Sequence, residues 1–180
     1  INLMQGMACS FFDSIPTFHF SGAVVTGQLR KNKNIRQIGF QEMEVVDLVK
    51  PITKYAVLLK DKNLIRYELE KMLYYAKEGR PGPVLMDLPD DLQRAEINPK
   101  KLKKFIPPKN KHIKINFEKK FFSLIDKSKK PLIVLGHGVN LSKTEKQVKQ
   151  FIKKTGIPFL PSWATIDLFN YNNKLNAGTF

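Results

Sequence analysis

The sixteen residues from Glu78 to Gln93 restrict the fold more than any other stretch of this 180-residue chain. Gly79 is placed to take the left-handed conformation that ends a helix, and Pro81 and Pro83 stiffen the turn that follows. Val84 to Leu88 is then short and apolar enough to lie inside a sheet covered on both faces. Helix end, rigid turn, buried strand and exit, in that order, suit an α/β domain. They fit neither a helical bundle nor a β-sandwich.

The flanking sequence repeats the rhythm. Leu3, Met7 and Phe11 recur at helical spacing until Asp13 to Pro16 breaks the helix. Thr17 to Ser21 is a short strand ending at Gly22. Thr26 to Gly39, with Arg30, Lys31, Lys33 and Arg36, is a polar surface loop. Gln41 to Val49 is expected as a short helix stopped by Pro51, and Tyr55 to Leu59 as a strand. Ile65, Leu69, Met72, Leu73 and Ala76 form one helical stripe, with Asp61 placed to cap its start. From Asn98 to about Asn116 the pattern dissolves into Pro, Lys and Asn, as in an interdomain linker. Alternation then resumes. Phe117, Phe121, Leu124 and Ile125 make a helical stripe, and Pro131 to Leu135 a buried strand. Ser142 and Glu145 have capping-box spacing; Val148, Phe151 and Ile152 give the next helix its apolar face. Gly156 ends it, and Ile157 to Leu160 is the next strand. The expected division is a domain over 1–97, a basic linker over 98–115 and a second α/β domain over 116–180.

Charge marks the same boundary. Residues 1–97 hold thirteen Lys+Arg against twelve Asp+Glu, whereas 98–180 hold eighteen against four, and all eighteen are lysine. Nucleic-acid surfaces use arginine for its planar fork, so lysine without arginine argues for solvated faces and against a nucleic-acid partner. A lysine-rich module binding nucleic acid or an anionic surface is the alternative, and steep salt dependence would reveal it. One cysteine, Cys9, allows no internal disulfide; beside Ala8 and Phe11 it is expected to be buried and inert. No apolar run reaches the ~20 residues of a membrane span. A cytoplasmic setting is expected. The chain opens on Ile1 within a helical pattern and stops at Phe180 in a loop, as expected of an internal segment of a longer protein.

Three groupings bear on chemistry. Gly136-His137-Gly138 sits on a strand-to-helix turn of the kind whose amides can bind phosphate. It is a poor dinucleotide fingerprint, because Leu141 takes the third glycine's place and no acid follows ~20 residues on. A tight turn is the plainer explanation, with His137 as a turn residue. Phe40-Gln41-Glu42 follows the basic loop: the ring and the amide can line a pocket, or Phe40 can belong to the core. Asp87, Asp90 and Asp91 resemble a carboxylate cluster, but Pro89 interrupts them and no histidine is near, so exposed loop acids are expected rather than a metal site. His19 and His112 are assigned nothing.

Several segments, in order, resemble the thiamine-diphosphate-dependent enzymes of the acetolactate synthase and pyruvate oxidase type. Asn2 to Pro16 is similar to a helix and turn that in the family reads T-N-L-x-x-G-[IL]-A-x-A-[YF]-x-D-S-[IV]-P. Gly39 to Glu42 resembles an F-Q-E motif. Lys50 to Lys54, Gly79 to Pro83 and Pro131 to Gly138 follow at similar spacing. The resemblance implies an α/β fold: the C-terminal part of a pyrimidine-binding thiamine-diphosphate domain, followed by the first part of a Rossmann-like central domain. It implies an enzyme that decarboxylates a 2-oxo acid and passes the acyl carbanion to an acceptor, using thiamine diphosphate and Mg2+, as a homodimer or homotetramer. The family's catalytic glutamate and metal-binding segment match nothing here. Phe40 and Gln41 carry over as active-site lining; Arg80, Gly136 and Gly138 carry over as cofactor-binding only where FAD or a nucleotide is bound. The chain departs at Ala23, where the family has glutamine, and at Asp90, where acetolactate synthases have lysine. These leave FAD and the acyl acceptor open, and a catalytically inactive scaffold remains a further alternative.

Overall fold

The computed structural model describes residues 2–32, 34–40, 42–109 and 117–180, which fall into two compact units, Ile1–Asn110 and Lys111–Phe180. In the first, helix α1 (Asn2–Phe12) leads to strand β1 (Phe18–Ala23), then α2 (Val45–Val49), β2 (Tyr55–Leu58), α3 (Ile65–Lys77), β3 (Val84–Pro89) and α4 (Asp90–Gln93). The sheet order is β1-β3-β2 and both pairings are parallel, with Val84 beside Phe18 and Tyr55 and Met86 beside Phe20 and Val57.

β3 is central because its residues satisfy both faces. Val84, Leu85 and Met86 are fully buried. Val84 and Met86 pack with Leu59, Met72 and Ala76 beneath α3, whereas Leu85 packs with Met7 of α1 and Val49 of α2. Burying each such side chain contributes roughly 1.5–3 kcal/mol, so this strand organises the unit. Glu78 leaves the helix in an extended conformation, and Gly79 takes φ +59° in the turn. The break after α1 turns on Ser14 at φ 59°, whose hydroxyl accepts from Arg80 Nε at 2.6 Å.

Local details differ from expectation where side chains find other partners. The helix expected from Gln41 begins only at Val45, because Glu42 folds back onto the preceding loop. Asp61 accepts from Asn63 N–H and so caps the short 3-10 turn Lys62–Leu64 that runs into α3. Of the α3 stripe, Leu69 and Leu73 stay exposed. The stretch read as a linker is, over its described part, laid on the first unit. Phe105 N–H donates to Glu70 at 2.7 Å, and its ring stands edge-on to Tyr67 at 5.5 Å. Cys9 is exposed rather than buried, because α1 turns Met7, not Cys9, towards the sheet.

The second unit contains α5 (Glu118–Lys127), β4 (Ile133–Leu135), α6 (Gly138–Leu141), α7 (Glu145–Thr155) and β5 (Phe159–Pro161), with β4 and β5 parallel. Leu135, Ile152 and Phe159 form its core, and the rings of Phe159 and Phe169 lie 4.1 Å apart. Gly156 ends α7 at φ +65°. The strand expected to be buried is covered on one side only: Leu135 is buried, whereas Val134 is 58% exposed. The α5 stripe is likewise largely exposed, including Phe117 and Leu124. The capping box does not form. Ser142 closes α6 instead, donating to the Gly138 carbonyl at 2.7 Å, and Thr144 begins α7 without a side-chain cap.

Candidate functional site

A cavity of about 760 Å3 opens at the C-terminal ends of the first unit's strands. Parallel sheets place ligands there because the strands end together and the connecting loops diverge around them. Gly22 and Ala23 end β1, Asp87 lies near the end of β3, and Val57 and Leu58 end β2; all of them line the cavity. Val45 and Val46 of α2 form one wall, and Phe40 and Met43 another.

Phe40 is 83% exposed, so the core placement considered for it does not occur. The loop carrying it is shaped by Glu42, whose carboxylate accepts from the backbone N–H groups of Arg30, Ile38 (3.0 Å) and Gly39 (3.3 Å). The Ile38 amide, more than any other contact, holds the Glu42 carboxyl below the usual carboxylate range. Arg30 turns its guanidinium to Glu44 and to the Ile35 carbonyl. The residue beside Phe40, Gln41, lies outside the described residues, as do Lys33 and His112.

The three aspartates are not a cluster of loop acids. Asp87 is 3% exposed and accepts from Ser21 Oγ at 2.7 Å across the β1–β3 pairing. Burial raises its pKa against the opposing effect of that bond, since a carboxylate removed from water resists ionisation. Asp91 accepts from Thr26 N–H at 2.9 Å and Thr26 Oγ1 at 2.6 Å, joining α4 to the turn Thr26–Gln28. Thr26 holds the Asp91 carboxyl below its ordinary value. Asp90 pairs with Arg94 at 2.8 Å. Among the described residues no group of three His, Cys, Asp or Glu side chains is placed to hold a metal ion.

The remaining candidates lie elsewhere. Arg80 is in the turn before β3, at the opposite end of that strand from the cavity, with its Nε engaged by Ser14. Gly136 and Gly138 belong to the second unit, at the β4–α6 turn. A Cβ added at either glycine meets nothing within 4 Å, and neither has a positive φ. The turn itself therefore does not demand glycine. His19 exchanges a 2.9 Å hydrogen bond with Thr17, and burial lowers its pKa. Asp87 and Glu42 were both named from the sequence but given other places, Asp87 as an exposed loop acid and Glu42 within a helix. For Asp87 a signal existed: an acid inside an otherwise apolar buried run.

No described helix is long and apolar enough to cross a membrane. Residues 118–180 match the family described as thiamine pyrophosphate enzyme, central domain. The acetolactate synthase large subunit of Corynebacterium glutamicum is 30% identical over 182 residues, which take in 98% of this chain and 28% of that protein. That of Lactococcus lactis is 31% identical, with coverage of 98% and 30%. The chloroplastic acetolactate synthase of Arabidopsis thaliana is 33% identical over 170 residues, with coverage of 87% and 23%. The chain thus spans less than a third of the length of these relatives.

Proposed function

Because the chain belongs to the thiamine-pyrophosphate-dependent enzymes, we propose that its first unit supplies one wall of an active site that decarboxylates a 2-oxo acid. The acyl group passes to an acceptor, as the name acetolactate synthase denotes for the relatives. The observation that supports this reading is the cavity at the strand ends with Phe40 at its rim. A large exposed ring costs free energy in water, and packing against a bound organic group or a second subunit removes that cost. The proposed assembly is a homodimer or homotetramer, with this wall facing a neighbouring subunit. The proposed setting is the cytoplasm.

The described residues fit part of the cofactor's requirement. Phe40, Val24 and Met43 offer it an apolar surface. They do not fit the diphosphate and Mg2+ end, since Arg30 is committed to Glu44 and no metal-holding carboxylate group is present among them. When bound, thiamine diphosphate supplies the carbanion chemistry. This chain's residues orient and enclose: Glu42 fixes the loop, Phe40 excludes water from the rim, and the Ser21–Asp87 bond fixes the floor. Arg80, Gly136 and Gly138, the residues that the resemblance links to FAD, do not line this cavity, and the proposal gives FAD no part in it.

The test is carbon dioxide release from pyruvate with thiamine diphosphate and Mg2+. We expect turnover by the complete protein and none by purified residues 1–180. Turnover by the 180-residue chain alone, or none by the complete protein with any of a panel of 2-oxo acids, contradicts the proposal.

A further inference from the structure

Asp87 is a buried acid at the cavity, and its bond to Ser21 uses only one of its two carboxyl oxygens. It stands on the α2 side of β3, one alternation beyond Leu85, where the apolar packing gives way to the cavity. One carboxyl oxygen accepts from Ser21 at 2.7 Å, and its main-chain carbonyl accepts from Leu59 N–H at 2.9 Å. The other carboxyl oxygen has no protein partner among the described residues. The residue is 3% exposed and lines the cavity. That oxygen is reached from the cavity, so a ligand that displaces water there without offering a donor leaves a carboxyl oxygen unpaired, which is costly. Structural duty explains the Ser21 bond, which ties β1 to β3. It does not explain a carboxyl where an amide or hydroxyl would do the same.

We infer that Asp87 is a specificity residue whose free carboxyl oxygen accepts a hydrogen bond from a hydroxyl on the bound substrate. The cavity therefore takes a hydroxylated 2-oxo acid in preference to its apolar isostere. A site built around a buried acceptor rejects the ligand that leaves it unpaired more strongly than an apolar pocket rejects an added hydroxyl. Lys60, which follows β2 at the cavity's edge and makes no ion pair among the described residues, adds a cation suited to the acid's carboxylate. The inference rests on the enzymatic reading for the 2-oxo acid class, whereas the preference for a hydroxyl rests on Asp87 alone.

The discriminating pair is 3-hydroxypyruvate and 2-oxobutanoate, which differ by a hydroxyl in place of a methyl. In the complete protein we expect kcat/KM to favour 3-hydroxypyruvate by about ten- to hundred-fold, the range of a hydrogen bond to a charged group. Asp87→Leu should bring that ratio to within about threefold of unity. Asp87→Asn, which conserves shape should the leucine variant not fold, should reduce it about tenfold. Ser21→Ala keeps the carboxyl and should keep most of the preference. A ratio near one in the unaltered protein, a ratio unmoved by Asp87→Asn, or equal shifts from Asp87→Asn and Ser21→Ala would each overturn the inference. The last result would mark a structural tie alone. If neither acid is turned over, the same ratio is read as dissociation constants by saturation-transfer NMR. A preference for 3-hydroxypyruvate that Asp87→Asn removes upholds the inference while the enzymatic reading falls, and equal or absent binding overturns it.

Discussion

Gly39→Ala puts the geometry of the Phe40 loop to a quantitative test. Gly39 is buried and its φ is not in the left-handed region, so a conformational need does not explain the glycine. Contact does. A Cβ there would lie 2.8 Å from Val24 Cγ1 and 3.0 Å from both Val24 Cβ and Cγ2. Rotating the valine moves its two methyl groups but not its Cβ, so the clash survives every rotamer and one backbone must shift. Overpacking of this kind costs about 1–3 kcal/mol. Val24→Ala removes two of the three contacts, so the double variant should show a favourable coupling on the order of 1 kcal/mol. Native-state hydrogen exchange at the Val57 and Met86 amides reads the opening of the first unit without contribution from the second. Exchange in Gly39→Ala equal to that of the unaltered protein, or a double variant showing only the sum of two costs, refutes the packing argument. Because Gly39 precedes Phe40 and Val24 lines the same cavity, the shift should also displace the ring.

Three further outcomes are expected. The folded state raises the pKa of Asp87 above its ordinary 3.8, so it binds that proton more tightly than the unfolded chain does. Stability relative to Asp87→Asn should therefore be greatest below pH 3.8 and fall as pH rises through the raised folded-state value; denaturation across acidic pH checks the sign, and a difference independent of pH contradicts it. Gly156→Ala places a side chain at φ +65° and should lower the stability of the second unit by about 1–2 kcal/mol, read by hydrogen exchange at Ile152. Cys9, being exposed, should react with a thiol reagent in the folded chain without prior denaturation, and protection until unfolding would contradict its placement.

How much of this was legible in the sequence depends on where each element's determinants lie. β3 could be read directly, since a strand buried on both faces must be a continuous apolar run, and Val84 to Met86 is one. Gly79 and Gly156 were legible because a left-handed residue at a helix end is a local requirement. The Ser142–Glu145 capping box failed for an equally local reason: the serine hydroxyl reached back to Gly138 and closed the preceding turn. Val134 and the α5 stripe misled because periodicity reports which face is apolar, not whether anything covers it. The Phe40 loop was the least legible. Its shape comes from one carboxylate gathering amides from Arg30, Ile38 and Gly39, and no spacing rule encodes that. Asp87 lay between these cases. Its place in an apolar run was visible, but its burial and its bond to Ser21, 66 positions earlier, required the fold.

In the proposed thiamine-dependent site, the strand-end cavity with Phe40 at its rim is one wall. Phe40→Ala in the complete protein tests it most directly, because a ring 83% exposed in the first unit can be removed without disturbing that unit's core. We expect kcat/KM for 2-oxo acid decarboxylation to fall by about tenfold or more, with hydrogen exchange at Met86 unchanged. Undiminished activity, or a loss of activity matched by a loss of protection at Met86, would contradict it.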